Sequence, residues 1–140
     1  MRVTENRSCE WRLKHDTLLS DLKGRTNMQR AIINQFKTLE RQGFKRKVDF
    51  RNGDSEIFYT KNNLTIEVHY YLSTGRRYCL EVIIDRNGKR ANIFDCSSFD
   101  RAEISLLRAE IDSIDSAEPL QKQLGLYVEF LEKHANELWH

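Results

Sequence analysis

The chain has 140 residues, 39% hydrophobic and 31% charged, with one Pro and six Gly. That is enough for one ordinary domain with its own core, and it excludes a disordered chain. The 23 basic and 21 acidic residues leave a formal charge of +2, too balanced to point to nucleic acid unaided.

No apolar run approaches the ~20 residues that span a bilayer. The opening MRVTENRSCEWRLKHD lacks the apolar core of a secretory signal, so a cytoplasmic location is expected. Cys9, Cys79 and Cys96 are widely spaced with no CxxC pair. Buried free thiols are expected, not a disulfide framework or a zinc site. No internal repeat divides the chain, and a single domain over 1–140 is expected. Residues 1–25 read as a flexible or loosely packed arm; Cys9, Trp11 and Leu13 alternate with polar residues as an edge strand would. A short helix after Asp16 carries Leu18, Leu19 and Leu22 and stops at Gly24.

The first well-marked helix runs from about Met28 to Gln42, with Met28, Ile32, Phe36 and Leu39 on one stripe. Gly43 suits the left-handed position after it, and Phe44 can pack back on Leu39 in a Schellman arrangement. Strands follow. Lys45–Phe50 is basic; Glu56–Thr60 comes after an RNGDS turn; Asn62-Asn63 leads into Leu64–Ser73. In that strand Leu64, Ile66, Val68, Tyr70 and Leu72 share one face, and Thr65, Glu67, His69 and Tyr71 the other. STGRR turns into Tyr78–Asp85, and Asn87-Gly88 marks a type I′ hairpin into a last strand, Arg90–Asp95.

Asp100 followed by Glu103 fits a capping box, with Phe99 able to staple onto Ile104. Ile104, Leu107, Ile111 and Ile114 continue that helix. Ser116 and Pro119 open a final one, with Leu120, Leu124, Tyr127, Val128, Leu131, Ala135 and Leu138 on its stripe. The order predicts an α+β fold: an N-terminal helix, an antiparallel meander of about five strands, and two C-terminal helices packed on the Leu64/Ile66/Val68 face. The opposite face is expected to be partly wet.

The chemistry is sparse. His15, His69, His134 and His140 fall in separate elements without HxH or HExxH spacing. His69 shares its face with Glu67 and Tyr71, and Glu81 lies on the next strand. That set can do acid–base work, but a structural polar cluster across strands reads identically. Cys96 precedes the SSFD helix start, which activates it slightly at most. Asp95, Asp100 and Glu103 gather after the last strand, where capping accounts for two of them. The isolated glycines form no phosphate-cradling loop. No catalytic residue, cofactor or metal is assigned.

Basic residues gather at Lys45, Arg46, Lys47 and Arg51, interleaved with Phe44 and Phe50. Others sit at Arg76–Arg77 beside Tyr78, and at Arg86, Lys89 and Arg90. They suggest a small nucleic-acid-binding or regulatory module using the basic turns of the sheet as the alternative function, but Glu67, Glu81 and Asp85 on the same sheet repel phosphate. Residues 100–118 hold six acids against two Arg, including Glu103, Glu110, Asp112, Asp115 and Glu118. Tyr and acid anchors favour a protein partner, with Glu67, His69, Tyr71, Glu81, Asp85, Glu103, Glu110 and Asp112 as candidate contacts.

The strand core KNNLTIEVHYYLSTGRRYCLEVIIDRNGKR, a helix ending in "GF" before it, and the closing LQKQLGLYVEFLEKHANELWH carry a resemblance over roughly residues 28–139. In texture and element order the chain resembles small bacterial immunity proteins of polymorphic or contact-dependent growth-inhibition toxin systems. The resemblance implies a cytoplasmic inhibitor that binds a cognate toxin and blocks it. Inhibitors of basic nuclease toxins are often acidic; the charge of +2 departs from that, and only the acidic stretch around Glu110 offers a local complement. The resemblance assigns no membrane and no oligomeric state.

Overall fold

The computed structural model describes residues 29–51, 54–71, 80–114 and 120–134. The sequence readings for the N-terminal arm, the STGRR turn, Cys9, Cys79, Pro119 and the last six residues lie outside these. Within them the chain is α+β, built on a five-stranded antiparallel sheet in sequential order.

Helix α1 (29–35) and helix α2 (Lys37–Arg41) carry the first apolar stripe, with a turn at Phe36 between them. A single unbroken helix was expected. The break is mild: Phe36 N–H still donates to Ile32 C=O at 2.9 Å, and Leu39 N–H then tightens onto Phe36 C=O at 3.0 Å. The Schellman end is as expected. Phe44 N–H donates to Leu39 C=O at 3.0 Å and Gly43 N–H to Glu40 C=O at 3.1 Å, with Gly43 at φ +98°.

Strands β1 (Lys45–Arg51), β2 (Asp54–Lys61), β3 (Leu64–Tyr70), β4 (Leu80–Arg86) and β5 (Lys89–Asn92) form the meander. Two tight turns set its register. Asn62 has φ 55° between Lys61 and its partner Leu64. Asn87 and Gly88 both have positive φ, 56° and 85°, between the partners Arg86 and Lys89, as a type I′ turn requires. Asn87 N–H also donates to Asn63 C=O at 2.9 Å, so the two hairpin tips are joined.

The last strand is shorter than expected. It stops at Asn92, whose side chain accepts from Phe94 N–H at 3.0 Å and caps a 3-10 turn, η1 (Ile93–Asp95). Local side-chain capping outcompetes one more pair of strand residues there. Helix α3 (Arg101–Asp112) ends two residues before Ile114, and helix α4 (Leu120–Lys133) closes the described chain.

One core joins these elements. Ile57 and Tyr59 of β2, Ile66 and Val68 of β3, and Val82 and Ile84 of β4 are buried with Ile32, Phe36 and Leu39. The same cluster takes in Phe94, Ile104, Leu107, Leu124, Tyr127 and Leu131. Phe36 stacks on Tyr59 at 5.8 Å, and Phe99 meets Phe130 edge-on at 4.9 Å. Arg101 ties α3 to η1, donating to Phe94 C=O at 2.9 Å and Cys96 C=O at 2.6 Å.

Candidate functional site

Two clusters emerge from the side chains singled out in the sequence. The first is the sheet face opposite the core. Register sets Glu56, His69 and Glu81 in one row, and Phe58, Glu67, Ile83 and Asn92 in the next. Thr60, Thr65, Asp85 and Arg90 make the third.

The face is partly wet, as expected, with Thr60 and Arg90 exposed, but its centre is dry: Glu67 is 5% and His69 4% exposed, and Ile83 is buried with them. Alternation shows which residues share a face, not whether long neighbours pack over it. Here the His69 ring stacks with Tyr71 at 5.9 Å and meets the Phe58 ring edge-on at 6.1 Å.

Burial of a carboxylate is tolerable only when it is paired. Glu67 Oε2 accepts from Arg90 Nε at 2.9 Å, and Oε1 accepts from Arg90 Nη2 at 2.9 Å. His69 Nε2 lies 2.8 Å from the same Oε1. Burial pushes the Glu67 carboxyl up, but the Arg90 hydrogen bonds, aided by His69, outweigh it and hold the carboxyl below its ordinary range. Arg90 is correspondingly raised by its bond to Glu67.

The second imidazole nitrogen, Nδ1, faces Glu56 Oε2 at 3.3 Å, without the alignment of a hydrogen bond. Glu81 is also occupied: Tyr71 O–H donates to Oε1 at 2.6 Å and Asn92 Nδ2 to Oε2 at 2.7 Å. Asp85 belongs to the hairpin, its Oδ1 accepting Gly88 N–H at 3.1 Å.

The second cluster lies between α3 and α4. Asp100 caps α3 by accepting Glu103 N–H at 3.4 Å. The Glu103 carboxylate does not complete the capping box; it takes Lys133 Nζ at 2.9 Å and stands 3.5 Å from His134 Nε2. The Lys133 hydrogen bond holds Glu103 below, and Lys133 above, their ordinary values. This contact joins the first turn of α3 to the last turn of α4, so the helices run antiparallel.

Beside that pair a groove of about 150 Å³ is lined by Leu107, Leu126 and Phe130, with Leu106 at its lip and Glu110 and Glu129 on its rim. Leu106 is 60% exposed. Asp112 is exposed at the end of α3 and does not line the groove.

The eight candidate residues therefore divide. Glu67, His69, Tyr71, Glu81 and Asp85 belong to the sheet, Glu103 and Glu110 to the groove, and Asp112 to neither. Sequence reasoning missed Asn92, and it treated Arg90 as a basic turn residue. The signal for Arg90 was present: the two-residue Asn87-Gly88 turn places it opposite Asp85, on the Glu67 face. It also missed Leu106, Leu126 and Glu129. Leu106 lies off the Ile104/Leu107/Ile111 stripe, which marks it as an apolar residue with no place in the core.

Other residues singled out in the sequence are already engaged or buried. Arg46 pairs with Glu40 at 2.7 Å, and Phe44 is a core residue. Cys96 is a buried free thiol. Among the described residues no group of three or more His, Cys, Asp or Glu is placed to hold a metal ion. No helix among them is long and apolar enough to cross a membrane.

Fold and site together define a class: an α+β domain with a five-stranded meander, a paired polar sheet face and an acid-rimmed interhelical groove. No protein-family model, no curated protein and no solved structure matches the chain.

Proposed function

We propose that this chain is a non-enzymatic protein-binding domain, and that the protein it binds is a cognate toxin whose activity it blocks. The binding reading is carried by Leu106, 60% exposed at the lip of the groove formed with Leu107, Leu126 and Phe130. A solitary exposed Leu is ordinary, but one continuous with an apolar groove and ringed by charge has the anatomy of a contact site. The toxin reading is supported by element order, a meander followed by two helices.

The sheet face supports a structural role. Both oxygens of Glu67 and both of Glu81 accept hydrogen bonds within the chain. A general base needs an acceptor directed at substrate, and here the acceptors are directed at neighbours. The nucleic-acid alternative is weaker because Arg46 and Arg90 each neutralise a carboxylate of the chain itself.

Co-expression with the product of the adjacent gene should give a stable 1:1 complex and suppress that product's toxicity. Separation of the two on a sizing column at micromolar concentration overturns the reading. A gel shift that weakens steeply with salt would favour nucleic acid instead.

A further inference from the structure

The groove between α3 and α4 is selective about what can fill it. Its volume of about 150 Å³ is well below the ~300–1,000 Å³ of small-molecule sites. It suits a single large apolar side chain inserted as an anchor. Its rim is acidic: Glu103, Glu110 and Glu129 outnumber the one cation among its lining residues, Lys133, which holds Glu103 at 2.9 Å and also feels the charge of Glu110. A second copy of the chain laid groove to groove would bring those carboxylates against their own kind. Phosphate is repelled in the same way.

We propose that this groove seats a basic, amphipathic helical segment of the partner protein, a reading that rests on the protein-binding function proposed above. An apolar side chain of the segment enters beside Leu106 and Phe130. Lys or Arg on its flanks reach Glu110 and Glu129. The groove follows about two turns of each helix, from Glu103 to Glu110 and from Leu126 to Lys133, and a third helix can lie along it by ridge-and-groove packing. The Glu103–Lys133 pair closes one end and limits the segment's register.

The test uses the whole chain and two labelled peptides of about four helical turns, one amphipathic in Leu and Lys, the other with Glu in place of Lys. Fluorescence anisotropy should show binding of the Lys peptide alone, and amide shifts should map to α3 and α4. Leu106→Ala and Glu110→Lys should each weaken binding about tenfold, the effect of removing an interface anchor. Asp95→Lys makes a comparable charge reversal at an exposed position outside the groove, and should leave affinity within about twofold. Circular dichroism confirms that each variant is folded.

Equal losses in Glu110→Lys and Asp95→Lys would reduce the attraction to net charge and overturn the proposal, as would full affinity in Leu106→Ala or no binding by the wild type. The adjacent-gene product separates the two levels. If it binds wild type and the groove variants equally, the groove assignment falls and the binding function stands. If it binds neither, both fall.

Discussion

Arg90, on the edge strand β5, reaches past β4 to hold the buried Glu67 of β3 in two hydrogen bonds of 2.9 Å. Exposed ion pairs contribute at most ~1 kcal/mol, and the Arg90 side chain is itself 52% exposed. The carboxylate is not: 7% of the Glu67 side chain is accessible. Truncating the cation leaves a buried anion with only His69 for support. Arg90→Ala should therefore lower unfolding stability by about 2 kcal/mol in urea titration. Arg90→Lys should recover only part, because one ammonium cannot reproduce the fork. A loss near zero would show that the anion is better solvated than its burial implies.

The same carboxylate sets an acid limit. Its folded-state value lies below the ordinary 4.5, so protons bind more tightly to the unfolded chain. The pairing contributes fully above about pH 4.5 and is lost as pH falls through the depressed folded value. Between pH 6 and 3, the wild type should lose more stability than Glu67→Gln, which has no charge to titrate there. Parallel melting curves across that range would contradict the assignment.

Tyr59 is fully buried and its phenolic oxygen has no hydrogen-bond partner. Burial, with Glu40 adding to it, pushes the phenol above its ordinary value. A buried hydroxyl left unpaired costs ~1–3 kcal/mol. Tyr59→Phe keeps the ring stacked on Phe36 and should stabilise the protein by about 1 kcal/mol. A clear destabilisation in thermal melting would mean the hydroxyl has a partner in solution.

Two glycines should respond with opposite sign. Gly43 sits at φ +98°, where a side chain is strained, although a Cβ would meet only the Lys61 chain at 3.7 Å. Gly125 lies inside α4 and a Cβ there meets nothing within 4 Å. Gly43→Ala should destabilise by about 1 kcal/mol, and Gly125→Ala should stabilise by about 0.5–1 kcal/mol. Differential scanning calorimetry on the pair, with the wild type between them, checks both.

Leu106 and Phe130 line one groove but differ in burial, 60% against 7% exposed. Leu106→Ala should shift stability by no more than about 0.5 kcal/mol. Phe130→Ala removes the ring packed on Phe99 and should cost about 3–5 kcal/mol. A large loss from Leu106→Ala would make it a folding residue and remove the observation on which the binding reading stands.

Much of this was local and so legible from residue order. The alternation in Leu64–Tyr70, the Asn87-Gly88 turn, the Gly43–Phe44 helix end and the Asp100 cap each depend on a few consecutive residues, and each is present. The last strand reads past its end because nothing in the local pattern marks Asn92 as a stop; the structure shows its side chain accepting Phe94 N–H and capping η1 instead. The candidate site is less legible. Strand alternation makes Glu67 and His69 neighbours but does not show that they are buried, and the groove depends on Leu106, a residue outside the apolar stripe.

The sequence by itself determined the strands, their turns, their faces and the apolar stripes, because periods of two and 3.6 residues are properties of short segments. Only the tertiary structure decided which charges are matched and which are left over. Arg90 meets Glu67 across 23 residues of chain, and Lys133 meets Glu103 across 30. The first contact pairs a buried carboxylate on the sheet face; the second is an exposed pair between α3 and α4, with Glu110 and Glu129 beside it on the rim of the groove. Burial and pairing are properties of assembled elements, and no run of residues contains them.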